Sequence, residues 1–323
     1  MTLLFHRAAV ALRHASSVAV CAHVRPDGDA VGSVLAATLV LRAAGVAAVP
    51  VLADDAPPPS TYAFLPGFAL YAHVGDLEQP DAVLALDSPT LDRLGDAASL
   101  AQRADTLVVM DHHPGAVPFG TVSILDPTVA STGQLVWRLA RALEVEPTPE
   151  IALCCFVALQ TDTGRFQYSN TTAEAFRDAA DMVDAGADPA EASRLVYQSR
   201  AAGSMALESL ALSRLTLANH GRVAYSWIAD ADFAATGAKR EETEHLVDAL
   251  RVLGGVDVVL MFRLVEGEIR GNLRAKTGFD VASVARAFCG GGHVAAAGFT
   301  VTGRTLDELL EELLPMLPGS ATT

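Results

Sequence analysis

Cysteine is scarce in this chain. The four present, Cys21, Cys154, Cys155 and Cys289, form no C-x-x-C pair and lie in apolar surroundings. That excludes a disulfide-stapled scaffold and argues against a thiolate zinc site; they read as reduced core residues of a cytoplasmic protein. Long apolar runs are missing too. None reaches the roughly 18–20 residues that a membrane span needs. The first residues, MTLLFHRAAVALRHASSV, are broken by His6, Arg7, Arg13 and His14, which suits an amphipathic helix better than a signal peptide. Positive charge is short as well: 23 Lys and Arg stand against 38 Asp and Glu, a net charge of −15. Such a balance argues against a protein that grips long nucleic acid with a basic face. It leaves a small anionic substrate open, because bound metals or a local cation cluster can reverse the field inside a cleft. Internal repeats and low-complexity segments are absent.

What is there is enough for sizeable cores. The 323 residues are 51% hydrophobic, a length that fits two domains or one large one. The chain centres on Asp111-His112-His113, which follows the apolar run Thr106 to Met110. Ionisable residues at the end of a buried strand are costly unless they have a task. Other apolar runs end in the same way. Residues 17–22 read as a strand leading into His23, Pro26, Asp27, Gly28 and Asp29; residues 82–86 read as a strand ending in Asp87. A helix from Ile151 to Leu159 runs into Asp162. Helical periodicity from Ala30 to Ala44 puts Asp29 near a helix N-terminus, where a cap is its plainest role; that role does not account for His23 and Asp27 on the same turn. Ser131 or Thr132 can cap a helix through about Leu143.

Alternation of strand and helix, with carboxylates at the strand ends, predicts an N-terminal doubly wound, mainly parallel α/β sheet whose ligands bind outside the carboxyl ends of the strands. Residues 172–218 read as mostly helical, with breaks at Ala185-Gly186 and Asp188-Pro189. Beyond them the pattern changes to a smaller C-terminal α/β domain. It has a strand at 223–228, a helix at 241–253 and a hairpin of 256–264 with 269–274 around Glu266-Gly267. A helix at 280–288, the loop Gly290-Gly291-Gly292-His293, a strand at 298–301 and a helix at 306–314 complete it. The expected division is 1–198, a hinge at 199–208, and 209–323.

His23, Asp27, Asp29, Asp87, Asp111, His112, His113 and Asp162 form one set of candidate metal ligands. Oxygen donors with imidazole suit Mn²⁺, and also Fe²⁺, Co²⁺ or Zn²⁺, better than an all-oxygen Mg²⁺ site. Charge favours two ions: the carboxylates of Asp27, Asp29, Asp87 and Asp162 balance two divalent cations. Such a pair, about 3.5–4 Å apart, activates water and stabilises an in-line phosphoryl displacement.

At this point a family emerges. HVRPDGDAVGS, LALDSP, VVMDHHPG and QTDTGRF resemble the four signature motifs of DHH phosphoesterases, and GGGHVAAAGF resembles the motif of their DHH-associated (DHHA1) C-terminal domain. The likeness covers nearly the whole chain, in order, and its length is similar to that of the bifunctional oligoribonuclease and pAp phosphatase (nanoRNase) subgroup. Some members of that subgroup also hydrolyse cyclic di-AMP. The resemblance implies that His23, Asp27 and Asp87 hold one Mn²⁺, and that Asp29, Asp87, His112 and Asp162 hold a second, with Asp87 bridging. It implies that Asp111 orients a ligand histidine and that His113 faces the scissile phosphate. It gives Arg274, Gly291, Gly292 and His293 the grip on a phosphate or nucleotide, and it implies a homodimer. The expected substrates are short oligoribonucleotides, released as 5′-mononucleotides, and pAp. The residues support the second domain's part on their own: from Arg263 to His293 there are five basic and three acidic residues, and consecutive glycines let backbone N–H groups approach a phosphate. One departure is clear. The family's usual Ser-Leu-Arg-Ser is here Asn272-Leu273-Arg274-Ala275, which keeps the arginine and loses both hydroxyls.

Three other readings share these motifs. A manganese inorganic pyrophosphatase lacks a use for GGGH and the Arg274 hairpin. A RecJ-type exonuclease fits poorly with the acidic balance. A non-catalytic cyclic-dinucleotide receptor would leave a full ligand set idle.

Overall fold

The computed structural model describes residues 1–320 except 241 and 244. The chain divides into two compact units, Met1–Ser199 and Arg200–Thr323.

The first unit runs α1 (Thr2–His14), β1 (Ser17–Cys21), α2 (Gly28–Ala43), β2 (Ala47–Pro50), β3 (Ala82–Leu86), α3 (Ala98–Arg103), β4 (Thr106–Asp111) and β5 (Val122–Leu125). The helices α4 (Thr132–Ala142), α5 (Pro149–Asp162), α6 (Ala173–Asp184) and α7 (Pro189–Tyr197) follow. The strands form a parallel sheet in the order β2-β1-β3-β4-β5. Its central strands are apolar on both faces, as a doubly covered parallel sheet requires. On one face Val18, Val20, Leu84, Leu86, Val108 and Met110 pack with α1, α2, α4 and α5. On the other, Ala19, Val83, Ala85, Leu107 and Val109 pack with Leu94, Leu100 and Ala101. Helix α2 is buried almost throughout and lies tight against α5: a Cβ on Gly32 would stand 2.6 Å from the carbonyl oxygen of Cys154. Because the chain leaves β1 for one edge of the sheet and returns through β3 toward the other, a crevice opens where those two strands end.

The second unit runs α8 (Ala202–Ser213), β6 (Thr216–Ala218), β7 (Val223–Ala229), α9 (Asp230–Thr236), α10 (Leu246–Arg251), β8 (Val258–Val265), β9 (Glu268–Ala275), α11 (Val281–Ala287), β10 (Gly291–His293), β11 (Ala296–Thr302) and α12 (Leu306–Leu313). Its sheet has the order β10-β11-β9-β8-β7-β6, antiparallel except for the parallel pair β7 and β8. Alternation along β8 sends Val258, Leu260 and Phe262 toward α11 and α12, and Val259 and Met261 toward α8 and α10.

Most of the expected elements are present, and the differences have physical reasons. Strand β5 holds only four residues at a sheet edge, too short to show a period. The Gly290–His293 stretch, expected as a loop, is a strand over 291–293, where it pairs with β11; glycine's weak strand preference hides this. The expected 199–208 hinge contains the start of α8. In the expected 241–253 helix, Glu241 and Glu244 lie outside the described residues and α10 occupies 246–251.

Candidate metal centre

Six of the eight candidate residues of the first unit stand at or just beyond the carboxyl end of an element, and Asp27 and Asp29 stand at the amino end of α2. His23 follows β1, Asp87 follows β3, Asp111 ends β4 with His112 and His113 beyond it, and Asp162 ends α5. Asp27 caps α2, accepting from the amides of Asp29 and Ala30 at 3.1 Å, and so turns the chain after β1 back over the sheet. That frees Asp29, in the first turn, for another task. Asp87 has φ +52°, a left-handed conformation uncommon outside glycine that marks strain at functional sites.

The geometry brings all eight together. His23 Nδ1 lies 2.9 Å from the carbonyl oxygen of Val24. A carbonyl only accepts, so Nδ1 carries the proton and Nε2 faces the carboxylates. That Nε2 is 3.5 Å from Asp87 Oδ2 and 4.0 Å from Asp27 Oδ1. His112 Nε2 is 3.5 Å from Asp29 Oδ2, 3.5 Å from Asp87 Oδ1 and 3.7 Å from Asp162 Oδ2. Two triads of possible ligand atoms result, each within 4.8 Å: His23, Asp27 and Asp87; Asp29, Asp87 and His112. Asp87 belongs to both, through different oxygens. A third group adds Asp111 and His113 to Asp87. Asp111 Oδ1 meets His113 Nδ1 at 2.8 Å.

Electrostatics show what such a set demands. Burial pushes the Asp29 carboxyl well above its usual range, and the charges of Asp87, Asp162 and Asp27 push it further. Burial, with Asp27 and Asp87 against the opposing pull of His112, holds Asp162 up to about 6. Burial acts the same way on Asp87, but His23, His113 and His112 overcome it and leave Asp87 below the carboxylate range. His23 and His113 rise, His113 to about 9, because neighbouring carboxylates outweigh the effect of burial. Clustered carboxylate oxygens that repel one another, interleaved with imidazole nitrogens, form a donor set that a divalent cation relieves. The residues therefore fit such an ion.

The remaining candidates lie in the second unit. Arg274 pairs with Ala296, and Ala296 with His293, so Arg274 and His293 occupy one lateral row and share a face of the sheet. Gly292 has φ +138°, and a Cβ there would stand 2.5 Å from the carbonyl oxygen of Ala296; no other residue fits without displacing the strand.

Residue-type reasoning missed Thr132, Gly133 and Asn170. The Thr132 and Gly133 amides donate to Asp29 at 2.7 and 3.0 Å, and Asn170 Nδ2 reaches Asp162. The visible signal was a capping pattern at 131–132, and Ser131 is indeed the cap.

Comparison with known proteins agrees with this architecture. The DHH family N-terminal domain matches residues 17–159, and the DHHA1 domain matches residues 220–317. The bifunctional oligoribonuclease and PAP phosphatase NrnA of Thermus thermophilus is 32% identical over 297 residues, 91% of this chain and 87% of that one. The protein of the same name from Bacillus subtilis is 25% identical, covering 86% and 87%. Among solved structures, an exopolyphosphatase-related protein from Bacteroides fragilis superposes with a TM-score of 0.88 at 21% identity, over 98% of this chain and 96% of that one. RecJ of Thermus thermophilus in complex with Mn²⁺ gives 0.55 at 16% identity, over 97% and 54%. These last two are likenesses of fold. With both domains matched in order and the signature residues gathered at the strand ends, the chain belongs to the DHH family of phosphoesterases.

Proposed function

We propose that this chain is a Mn²⁺-dependent phosphoesterase of short nucleotides. It hydrolyses oligoribonucleotides of a few residues to 5′-mononucleotides, and pAp to AMP and phosphate, with cyclic di-AMP as a further substrate. The observation that carries this reading is the pair of ligand triads sharing Asp87; the oligoribonuclease and pAp phosphatase relatives support the choice of substrate.

His23, Asp27 and Asp87 would hold one ion, and Asp29, Asp87, His112 and Asp162 the other. Bound there, divalent cations supply charge neutralisation at the phosphoryl group and lower the pKa of water. The chain's own residues do the rest. Asp111 would fix His113 through Nδ1–H, which leaves Nε2 for the substrate. With Nδ1 engaged by Asp111, Nε2–H of the protonated ring would donate to a phosphate oxygen or to the departing oxygen. In the second unit, the Arg274 guanidinium and His293 on one sheet face, with the amides of Gly291 and Gly292, would take a phosphate. We propose that the enzyme works as a homodimer.

The test is a product time course with Mn²⁺ on four substrates: pAp, a di- to pentaribonucleotide series, cyclic di-AMP and pyrophosphate, with Asp111→Ala/His112→Ala protein as control. Turnover of the RNA series and pAp is expected. Turnover of pyrophosphate alone would overturn the substrate assignment, and no release from any substrate would overturn the enzyme.

A further inference from the structure

The carboxylates of the metal centre are themselves held, and by groups outside the ligand set. The turn at 130–133 lies at their centre. Its Thr132 amide donates to Asp29 Oδ2 at 2.7 Å and its Gly133 amide to Asp29 Oδ1 at 3.0 Å. The Thr132 hydroxyl donates to Asp87 Oδ1 at 3.1 Å. The Ala130 carbonyl accepts from Asn170 Nδ2 at 3.2 Å, and the same Nδ2 donates to the Asp162 carbonyl at 3.1 Å and to Asp162 Oδ2 at 3.3 Å. All three acceptors are oxygens, so the Asn170 amide can be oriented only one way. One short turn thus ties together a carboxylate from α2, one from the end of β3 and one from the end of α5.

The turn is braced in its own right. Gln134 Oε1 accepts from the Ala130 amide at 2.8 Å, Ser131 Oγ accepts from the Gln134 amide at 3.3 Å, and Gln134 Nε2 donates to Asp178 Oδ2 at 2.5 Å. Ser131, Thr132 and Gln134 have no exposed surface. Buried polar groups this fully paired specify one arrangement of the backbone around them.

We propose that Thr132 and Asn170 are positioning residues that hold Asp29, Asp87 and Asp162 as a single preorganised donor set for a divalent cation. The inference rests on the reading of this site as a metal centre. Without these donors, like charges would turn the carboxylates apart whenever the ion leaves, and each new ion would have to regather them. Thr132 is the more informative of the two. Its contact with Asp29 is through the backbone and survives any side chain; its contact with Asp87 is through the hydroxyl alone. Thr132→Val keeps the shape and removes only that second bond, while Thr132→Ser restores it.

The experiment is calorimetric titration of Mn²⁺ into the metal-stripped full chain, with free Mn²⁺ followed by electron paramagnetic resonance. Loss of an outer partner of a metal ligand weakens affinity about 10–100-fold. Thr132→Val should therefore bind at least one Mn²⁺ about tenfold more weakly, Thr132→Ser should bind close to wild type, and the metal-free melting temperature should barely move. Asn170→Ala should weaken Mn²⁺ as well. The double variant should lose less than the product of the two, because both act through one turn. Wild-type Mn²⁺ affinity in Thr132→Val would overturn the proposal, as would a Thr132→Ser protein as weak as Thr132→Val. If Thr132→Val fails to fold, Asn170→Ala decides alone: unchanged affinity there overturns it. Mn²⁺ binding is read without substrate. Unreactive phosphoesters with these shifts intact would remove the proposed function and leave the positioning roles standing; a wild-type chain that binds no Mn²⁺ would remove both.

Discussion

Asp87 carries more of the site than any other residue. Its Oδ2 faces His23, and its Oδ1 faces His112 and His113 and accepts from Thr132. Its backbone takes the left-handed conformation to do so. Asn tolerates that conformation better than most residues, so Asp87→Asn should fold with a metal-free melting temperature near wild type. It should nonetheless lose turnover by more than about 100-fold, the upper reach for an outer partner, and bind fewer Mn²⁺ per chain. Retained turnover with full Mn²⁺ stoichiometry would show that Asp87 does not bridge. At this scale the sequence was legible wherever residue type alone announces chemistry: a carboxylate or imidazole directly after a buried apolar run is too costly to sit there idle. It was not legible at Thr132 and Asn170. Their roles arise from hydrogen bonds between residues as far apart in sequence as 29 and 132, and threonine and asparagine in turns are otherwise ordinary caps.

At the scale of elements, period and punctuation revealed β1, β3, β4, the hairpin of β8 and β9 around Glu266-Gly267, and the longer helices, but not the short α3 and α9, nor β6 inside a stretch read as mostly helical. They failed where an element was too short or too rich in glycine to carry a period, as at β5 and β10. What pins one element to the next was also invisible. Arg214, just past α8, donates to both carboxylate oxygens of Asp232 at 2.5 and 2.7 Å and to the Trp227 carbonyl at 3.1 Å, joining α8 to β7 and α9. The Arg214 hydrogen bonds outweigh burial and hold Asp232 below the usual carboxylate range. A carboxyl whose pKa is depressed on folding contributes stability above its unfolded value, about 3.9, and loses it as pH falls through the folded one. Arg214→Met should therefore destabilise the second unit by about 1–3 kcal/mol at pH 7. The gap from wild type should narrow steadily below about pH 4 as Asp232 takes up its proton. Urea unfolding at pH 7 and at pH 3 measures this, in a Trp137→Phe background where Trp227 alone reports. A gap independent of pH would mean that Arg214 acts through packing on the Trp227 ring, 5.8 Å away, and not through charge.

At the scale of the whole molecule, charge sets which substrates can approach. The chain carries −15 overall, while the stretch from Arg263 to His293 carries a local excess of two positive charges (five basic residues less three acidic ones). A short substrate brings few phosphates, and the site's own cations neutralise those. On a chain of net charge −15, each further phosphate on a longer strand should add repulsion from the acidic surface. That repulsion acts over the screening length, about 10 Å at 0.1 M salt, so salt should remove it. The ratio of kcat/KM for a strand of about 20 nucleotides to that for a dinucleotide should rise as salt goes from about 20 to about 300 mM. A protein that tracks a long strand in a basic groove behaves in the opposite way, because salt reverses the counterion release that drives its binding. The two expectations differ in sign, so a salt series on two substrate lengths separates them. A falling ratio would mean that a basic track has been assembled from an acidic chain, and would overturn the charge argument for short substrates.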